Sequence, residues 1–315
     1  MNDVLSRSDL IDEALYLEYT SAVKPPLPPV PIELYKSRLH RAGPTRIIPL
    51  DLARQLGVEP GPATGPTVSA AYFRICKGES LTSRSNASAQ LYYVIRGRGT
   101  SRTEFGPVEW QEGDVFVLPM SGPIEHSALE DTALYHVNDA PLVDYLGARP
   151  VTRMFEPVLY PGDTIMSELK KVSEEPEAPK RNRDAIILGD KHMVQIKSAT
   201  HTLWAAIVWM NPGEVQRPHR HNSIAVDIII EAEPGAYTLL GSAVDDEGNI
   251  INPQRVDWES AAAFVTPPHL WHGHYNESHK PAKVMAVQDA GFYEHLRTLN
   301  ITFTGLRSTG VEYKS

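Results

Sequence analysis

One cysteine in 315 residues, Cys76, excludes an intrachain disulfide framework and any cysteine-rich zinc site. No acidic or basic run stands at either end. The formal charge of -9 comes from acidic residues scattered along the chain, which favours solubility and argues against nucleic acid as a partner. No apolar stretch approaches the length a membrane span requires, and the opening MNDVLSRSDLIDEALYLEY lacks the apolar segment of a secretory signal. A cytoplasmic protein with a small-molecule partner and no membrane association is therefore expected.

Proline, by contrast, is plentiful. Leu10 to Tyr19 have helix-compatible apolar spacing, and VKPPLPPVP then stops any helix, because proline has no N–H to donate and its ring clashes with the preceding turn. Residues 1–66 read as an N-terminal helical and proline-rich arm with its lead-in. From Thr67 the pattern changes to short β-branched and aromatic runs cut by Gly, Pro and Asp: TVSAAYFRIC, QLYYVIRGRGTSRTEF and DVFVLP. This predicts a β domain over 67–148. The charged, proline-containing stretch 149–190 reads as a linker that mixes a short helix with loop. Strand-like runs return over 191–315 as MVQIKSAT, TLWAAIVWM, IAVDIIIEA, AYTLLGSA, AAAFVTPP and KVMAVQDAG, with a last helix expected near Phe292 to Leu299.

The second half repeats the first. G-E-S-L-T-S-R-S-N, QLYYVIRGRG and EGDVFVLPMSGPIEH in one are matched by G-E-V-Q-R-P-H-R-H, DIIIEAEPG and AAAFVTPPHLWH in the other. Two copies of one strand plan indicate an all-β protein of two jelly-roll barrels.

His219 and His221 are two apart, so on a strand both imidazoles project from one face while Arg220 points away. His272 lies in TPPHLWHGHYN, where prolines and a tryptophan constrain the backbone. A barrel brings it opposite the pair. Three neutral imidazoles on one face of a metal suit Fe, Zn, Ni or Cu and leave positions open for other ligands. The alternative is that these histidines are ordinary core or surface residues, since the chain has 12 of them and His-x-His alone is a weak signal.

Gly213, His219 and His221, then Pro267, His272 and Asn276, are spaced like the two cupin motifs. More narrowly, HRHNSIAVDIIIEAEPGAYTLLG with AAAFVTPPHLWHGHYNES is similar to the ring-cleaving bicupins of the gentisate dioxygenase group. The resemblance implies a bicupin, Fe(II), O2, and fission of a hydroxylated aromatic ring. It also implies His219, His221 and His272 as metal ligands and His274 as a nearby acid/base with a pKa close to working pH. A homo-oligomer is expected, with a smaller partner subunit as an option.

The chain departs from that group in two ways. Arg84, Ser85 and Asn86 stand where the first barrel would carry its His-x-His, so that barrel reads as metal-free and His126 as structural. The arginine that holds the substrate carboxylate falls at Asp227, which would repel a carboxylate. That directs the reading toward a hydroquinone, or a substrate bearing an amine or extra hydroxyl. The large subunit of two-component hydroquinone dioxygenases resembles this arrangement, although Ala225 sits where its extra ligand carboxylate is expected. Asp227 either rotates in as that carboxylate or is a strand aspartate that faces solvent or pairs with Arg220 or Arg255.

Among Trp204, Trp209, Trp258 and Trp271, the neighbour of His272 is the expected pocket residue and the rest are expected core. His269 and His274 compete with His272 as ligands, and Gln288 and Asp289 either orient a ligand imidazole or make structural pairs at the strand end. The alternatives to an oxygenase are a metal-binding cupin of another kind, an isomerase or small-ligand binder, or one subunit of a two-component dioxygenase.

Overall fold

The structure is a computed structural model that describes residues 6–23, 27–175 and 183–304. It comprises two jelly rolls, each made of a larger and a smaller sheet. In the first, Arg46–Pro49, Ser69–Ile75, Thr132–Asn138, Ala89–Arg96, Val115–Pro119 and Val158–Tyr160 lie side by side in a six-stranded sheet. Facing it are Ser80–Ser83, Ile124–Ala128, Arg98–Thr103 and Gly106–Gln111. In the second, the six-stranded sheet runs Leu34–Tyr35, Ala263–Thr266, Ala225–Glu231, Ala282–Gln288, Trp204–Met210 and Asp184–Leu188. Its partner runs Gln254–Asp257, Ala236–Gly241, Trp271–Asn276, Val215–His221 and Ile301–Phe303.

Side-chain alternation along these strands decides what faces what. Leu91, Tyr93, Tyr135 and Val137 from one large sheet join Ala205, Ile207, Val226, Met285 and Val287 from the other in a single apolar core, so the two large sheets pack back to back. The alternate positions turn into each jelly roll. Phe73, Tyr92, Phe116 and Leu134 fill the first. Val208, Ile229, Phe264 and Val284 fill the base of the second. Near the mouth of the second the same inward rows carry Trp204, Ala206, Ala225, Asp227, Ala286 and Gln288, and a cavity opens among them.

The lead-in does more than the sequence indicates. Leu34–Tyr35 pairs with Ala263–Thr266 of the second jelly roll, whereas Arg46–Pro49 pairs with Ser69–Ile75 of the first. Between them His40 bonds the Ala261 carbonyl through Nε2 at 3.0 Å and meets Arg96 at Nδ1 at 2.9 Å. This segment ties the two halves together.

Other expectations shift. The helix read over Leu10 to Tyr19 is confined to Arg7–Asp12, with a separate turn at Tyr19–Ala22. MVQIKSAT forms turns rather than a strand. Within 149–190 lie a 13-residue helix, Gly162–Glu174, and two sheet strands, Val158–Tyr160 and Asp184–Leu188. Charge and proline hid these strands, because an edge strand needs only a few apolar positions. The last helix is Ala290–Leu296, and Ile301–Phe303 comes after it as an unforeseen edge strand. Among the described residues no helix is long and apolar enough to cross a membrane.

Candidate metal centre

Strict alternation along Val215–His221 would bury every second residue, yet Gln216, Pro218, His219 and His221 are all buried. The pairing with Trp271–Asn276 shifts register between Gln216 and His219. Pro218 lies in that interval and has no N–H for the ladder, so the strand bulges there and re-aims its last three residues. His219 and His221 consequently point inward together, and His219 stands directly opposite His272 in the register.

The ring centroids are 4.0 Å apart for His219 and His272, 4.8 Å for His221 and His272, and 5.7 Å for His219 and His221. One nitrogen from each of the three lies within 4.8 Å of the others. Among the described residues this is the one group of His, Cys, Asp or Glu side chains so converged. Two rings are fixed by their backbone. Nδ1 of His221 lies 2.8 Å from the Ser223 carbonyl and Nδ1 of His272 lies 3.0 Å from the Leu270 carbonyl. A carbonyl only accepts, so each Nδ1 carries the proton and each Nε2 keeps its lone pair. Burial pushes His221 down to about 4 and holds His219 and His272 well below the usual imidazole range, so all three are neutral donors at neutral pH. This donor set fits a divalent transition metal.

His221 has a second support. Ser223 Oγ lies 3.1 Å from its Nδ1 and donates to Gln288 Oε1 at 2.8 Å. Gln288→Leu is expected to loosen this ring and lower metal affinity by about 10- to 100-fold with the fold intact; competition with a coloured chelator measures it, and unchanged affinity would remove Gln288 from the site. Asp289 does something else. It accepts from the Ile224 amide at 3.0 Å and from Thr67 Oγ1 at 2.6 Å, which joins the two halves of the chain.

Arg183, just ahead of Asp184–Leu188, is the residue the sequence does not announce. Its guanidinium lies 2.9 Å from Nδ1 and 3.3 Å from Nε2 of His219, so it meets the lone pair that His219 would offer a metal and has to release it for all three imidazoles to bind one ion. It also sits 5.6 Å from the centre of the Phe303 ring, which stacks on His219 at 5.5 Å. Burial brings Arg183 down to about 10, so it remains a cation. It sits among charged residues in the sequence and has no periodic neighbour. Phe303 lies beyond what looks like the terminal helix. Neither position carries a readable signal.

Asp227 is corrected on one count. It does not face solvent, and neither arginine pairs with it: Arg220 stacks on Trp271 at 4.8 Å, and Arg255 pairs with Asp257 at 2.7 Å. Asp227 is 3 % exposed, lines the cavity and accepts from Thr266 Oγ1 at 2.6 Å. Burial raises its carboxyl to about 7, a shift the Thr266 bond opposes. His274 also differs from expectation. Burial above all, then Arg183 and His221, push it down to about 3 rather than toward working pH. Its Nδ1 lies 2.9 Å from Thr238 Oγ1, which itself accepts from Trp258 Nε1 at 2.8 Å. Held this way, His274 is a neutral hydrogen-bonding group.

The tryptophan at the cavity is Trp204, not Trp271, and His269 is an exposed turn residue with φ +66°. Ala225 lines the cavity without a polar atom to offer. The cavity measures about 200 Å³, room for a single ring, with Ile187, Val208, Val284 and Phe303 among its apolar walls. In the first jelly roll His126 has both nitrogens engaged, by Ser83 Oγ at 3.0 Å and Ser101 Oγ at 2.8 Å.

No protein-family model matches the chain. It is similar to gentisate 1,2-dioxygenase of Ralstonia sp, 28% identical over 139 residues, which is 44% of this chain and 36% of that protein. It is also similar to 1-hydroxy-2-naphthoate 1,2-dioxygenase of Nocardioides sp. strain KP7, 31% identical over 99 residues, 31% of this chain and 23% of that protein. The matches thus span about a third or less of these relatives' length. Salicylate 1,2-dioxygenase of Pseudaminobacter salicylatoxidans superposes with a TM-score of 0.71 over 95% of this chain and 97% of its own, at 15% identity. A mutant of Bacillus subtilis oxalate decarboxylase gives 0.54 over 81% and 76%, at 13% identity. These likenesses establish the fold as a bicupin, and the resemblance read from the two motifs agrees with the relatives found.

Proposed function

We propose that the chain is an Fe(II)-dependent dioxygenase that cleaves the ring of a small hydroxylated aromatic compound and inserts both atoms of O2. The observation that carries the reading is the triad of neutral imidazoles, His219, His221 and His272, on the wall of a cavity sized for one ring. The relatives, two of them named as gentisate and 1-hydroxy-2-naphthoate 1,2-dioxygenases, support the same class of reaction. Bound to the triad, iron would supply a Lewis acid and an electron relay between an electron-rich ring and oxygen.

The chain's own groups account for the rest. His221 and His272 are held by backbone carbonyls with their free nitrogens facing inward, so no reorganisation is needed to present them. Arg183 places a fixed positive charge at the cavity, which favours a ring hydroxylate over the hydroxyl. His274 offers a neutral hydrogen bond to a ring oxygen. Asp227 has a carboxylate oxygen beyond the one Thr266 occupies, and a buried acceptor of this kind favours a substrate that brings a donor, a hydroxyl or an amine. Hydroquinones and aminophenols satisfy both ends of the cavity.

The test is oxygen uptake with ultraviolet spectra after anaerobic loading with Fe(II), using hydroquinone, substituted hydroquinones, aminophenols and gentisate. Uptake with a ring-fission chromophore is expected for the carboxylate-free compounds, and Arg183→Gln is expected to lower kcat/KM by about 10- to 100-fold. A preference for gentisate would overturn the role given to Asp227. Silence across the panel with iron bound would overturn the single-chain oxygenase and favour a subunit awaiting a smaller partner, or a cupin of another chemistry.

A further inference from the structure

A groove of about 670 Å³ lies where the two halves of the chain meet, and it shares no lining residue with the cavity of the triad. Its walls, Leu142, Leu146, Met154, Val194, Ile196 and Phe292, are apolar. Single exposed apolar side chains are ordinary, but here Leu146, Met154 and Val194 stand open to solvent around one depression, the mark of an interaction surface. The rim carries Lys191, His192 and His295, all exposed and without an ion-pair partner among the described residues. The carboxylate of the groove, Asp139, is already taken, by the Ser88 amide at 2.7 Å and Thr202 Oγ1 at 2.8 Å. His201 adds an unpaired acceptor. The Ser88 hydroxyl donates to Asp139, so its oxygen accepts from Nε2 of His201 at 2.9 Å, which leaves the lone pair on Nδ1, a buried atom with no partner.

The chain itself carries the complement. In the N-terminal arm Leu10, Ile11, Leu15, Tyr16, Leu17 and Tyr19 are all exposed, Leu15 at 79 % and Tyr16 at 91 %, so nothing among the described residues covers them. The same stretch brings Asp12, Glu13 and Glu18, and no basic residue lies between Ser8 and Val23. Tyr16 and Tyr19 bring hydroxyl donors. An apolar strip with acidic and phenolic groups matches an apolar groove with a basic rim and an unpaired acceptor. The arm also starts on the wrong side for its own groove. It runs into Leu34–Tyr35 at one edge of a six-stranded sheet, whereas the turns that line the groove follow Asp184–Leu188 at the other edge, roughly 24 Å away across five strand spacings.

We propose that the groove is the docking site for the N-terminal arm of a second copy of this chain. The arm's apolar residues cover Leu146, Val194 and Phe292, its carboxylates face Lys191, and a tyrosine hydroxyl donates to Nδ1 of His201. The contact involves neither the triad nor its cavity.

Light scattering and cross-linking of the full chain test this. An oligomer is expected at micromolar concentration, and Leu15→Asp in the arm and Val194→Asp in the groove are each expected to weaken it by about tenfold or more. In a Cys76→Ser chain that also carries Leu15→Cys and Val194→Cys, a short bis-maleimide is expected to join one chain to another, read on a denaturing gel as species of two or more chains. A monomer at that concentration, association untouched by either aspartate, a link closed within one chain, or thiols left unlinked in an associated protein would each overturn the assignment. Leu15 and Val194 are both exposed, so these variants keep the fold, and circular dichroism verifies it.

Discussion

Replacement of His219 by alanine is expected to give a folded protein that retains neither iron nor oxygen uptake. His219 faces His272 across one rung of the ladder and shares its strand with His221, so it links the other two ligands. Without it a pair of imidazoles remains, below the three protein ligands that catalytic metal sites ordinarily use. Turnover is expected to fall by roughly 10³-fold or more, because every proposed step depends on the metal. The fold should survive. The apolar base of the second jelly roll, Val208, Ile229, Phe264 and Val284, does not include the triad, and Arg183 retains its contact with Phe303. Metal analysis, an oxygen electrode and near-ultraviolet circular dichroism read the three parts separately. Iron and activity retained in the variant would remove the assignment of His219.

Most of this site is readable in sequence because its parts are local or periodic. His219 and His221 share a face through the two-residue period of a strand, and the turn before His272 is marked by Pro267 and Pro268. The repeat of one strand plan makes the two jelly rolls legible for the same reason. What escapes is what tertiary pairing alone creates. Leu34–Tyr35 is too short to show a period and becomes a strand only because Ala263–Thr266 offers an edge. Arg183 and Phe303 reach the cavity from the two strands at the margins of the second jelly roll, about 120 residues apart in the chain. Sequence also misjudges protonation. His274 resembles a base of ordinary pKa until burial and the Arg183 cation are seen around it. Asp227 could be placed on a strand but not on the inner face, because Ala225–Glu231 is buried on both sides where the large sheets pack back to back, and no polar alternation marks which side is which.

Asp227 carries the second large effect. Its folded-state pKa of about 7 lies above the carboxyl's ordinary value of 3.8, so between those values the folded protein holds a proton that the unfolded chain has released. Stability must therefore fall as pH rises through that window and level off above it, the reverse of a salt-bridged aspartate. The total is on the order of 4 kcal/mol in the metal-free protein. Asparagine at this position keeps an oxygen for Thr266 and cannot ionise. Asp227→Asn is thus expected to remove the decline, matching the wild type near pH 4 and exceeding it increasingly up to pH 8 by an amount of that order. Urea unfolding of chelator-treated protein at several pH values, read as the difference between the two proteins, isolates this one group from every other titration. Curves that run parallel would show that Asp227 ionises as freely in the folded state as in the unfolded one, and so is neither dry nor poised to meet a donor from the substrate.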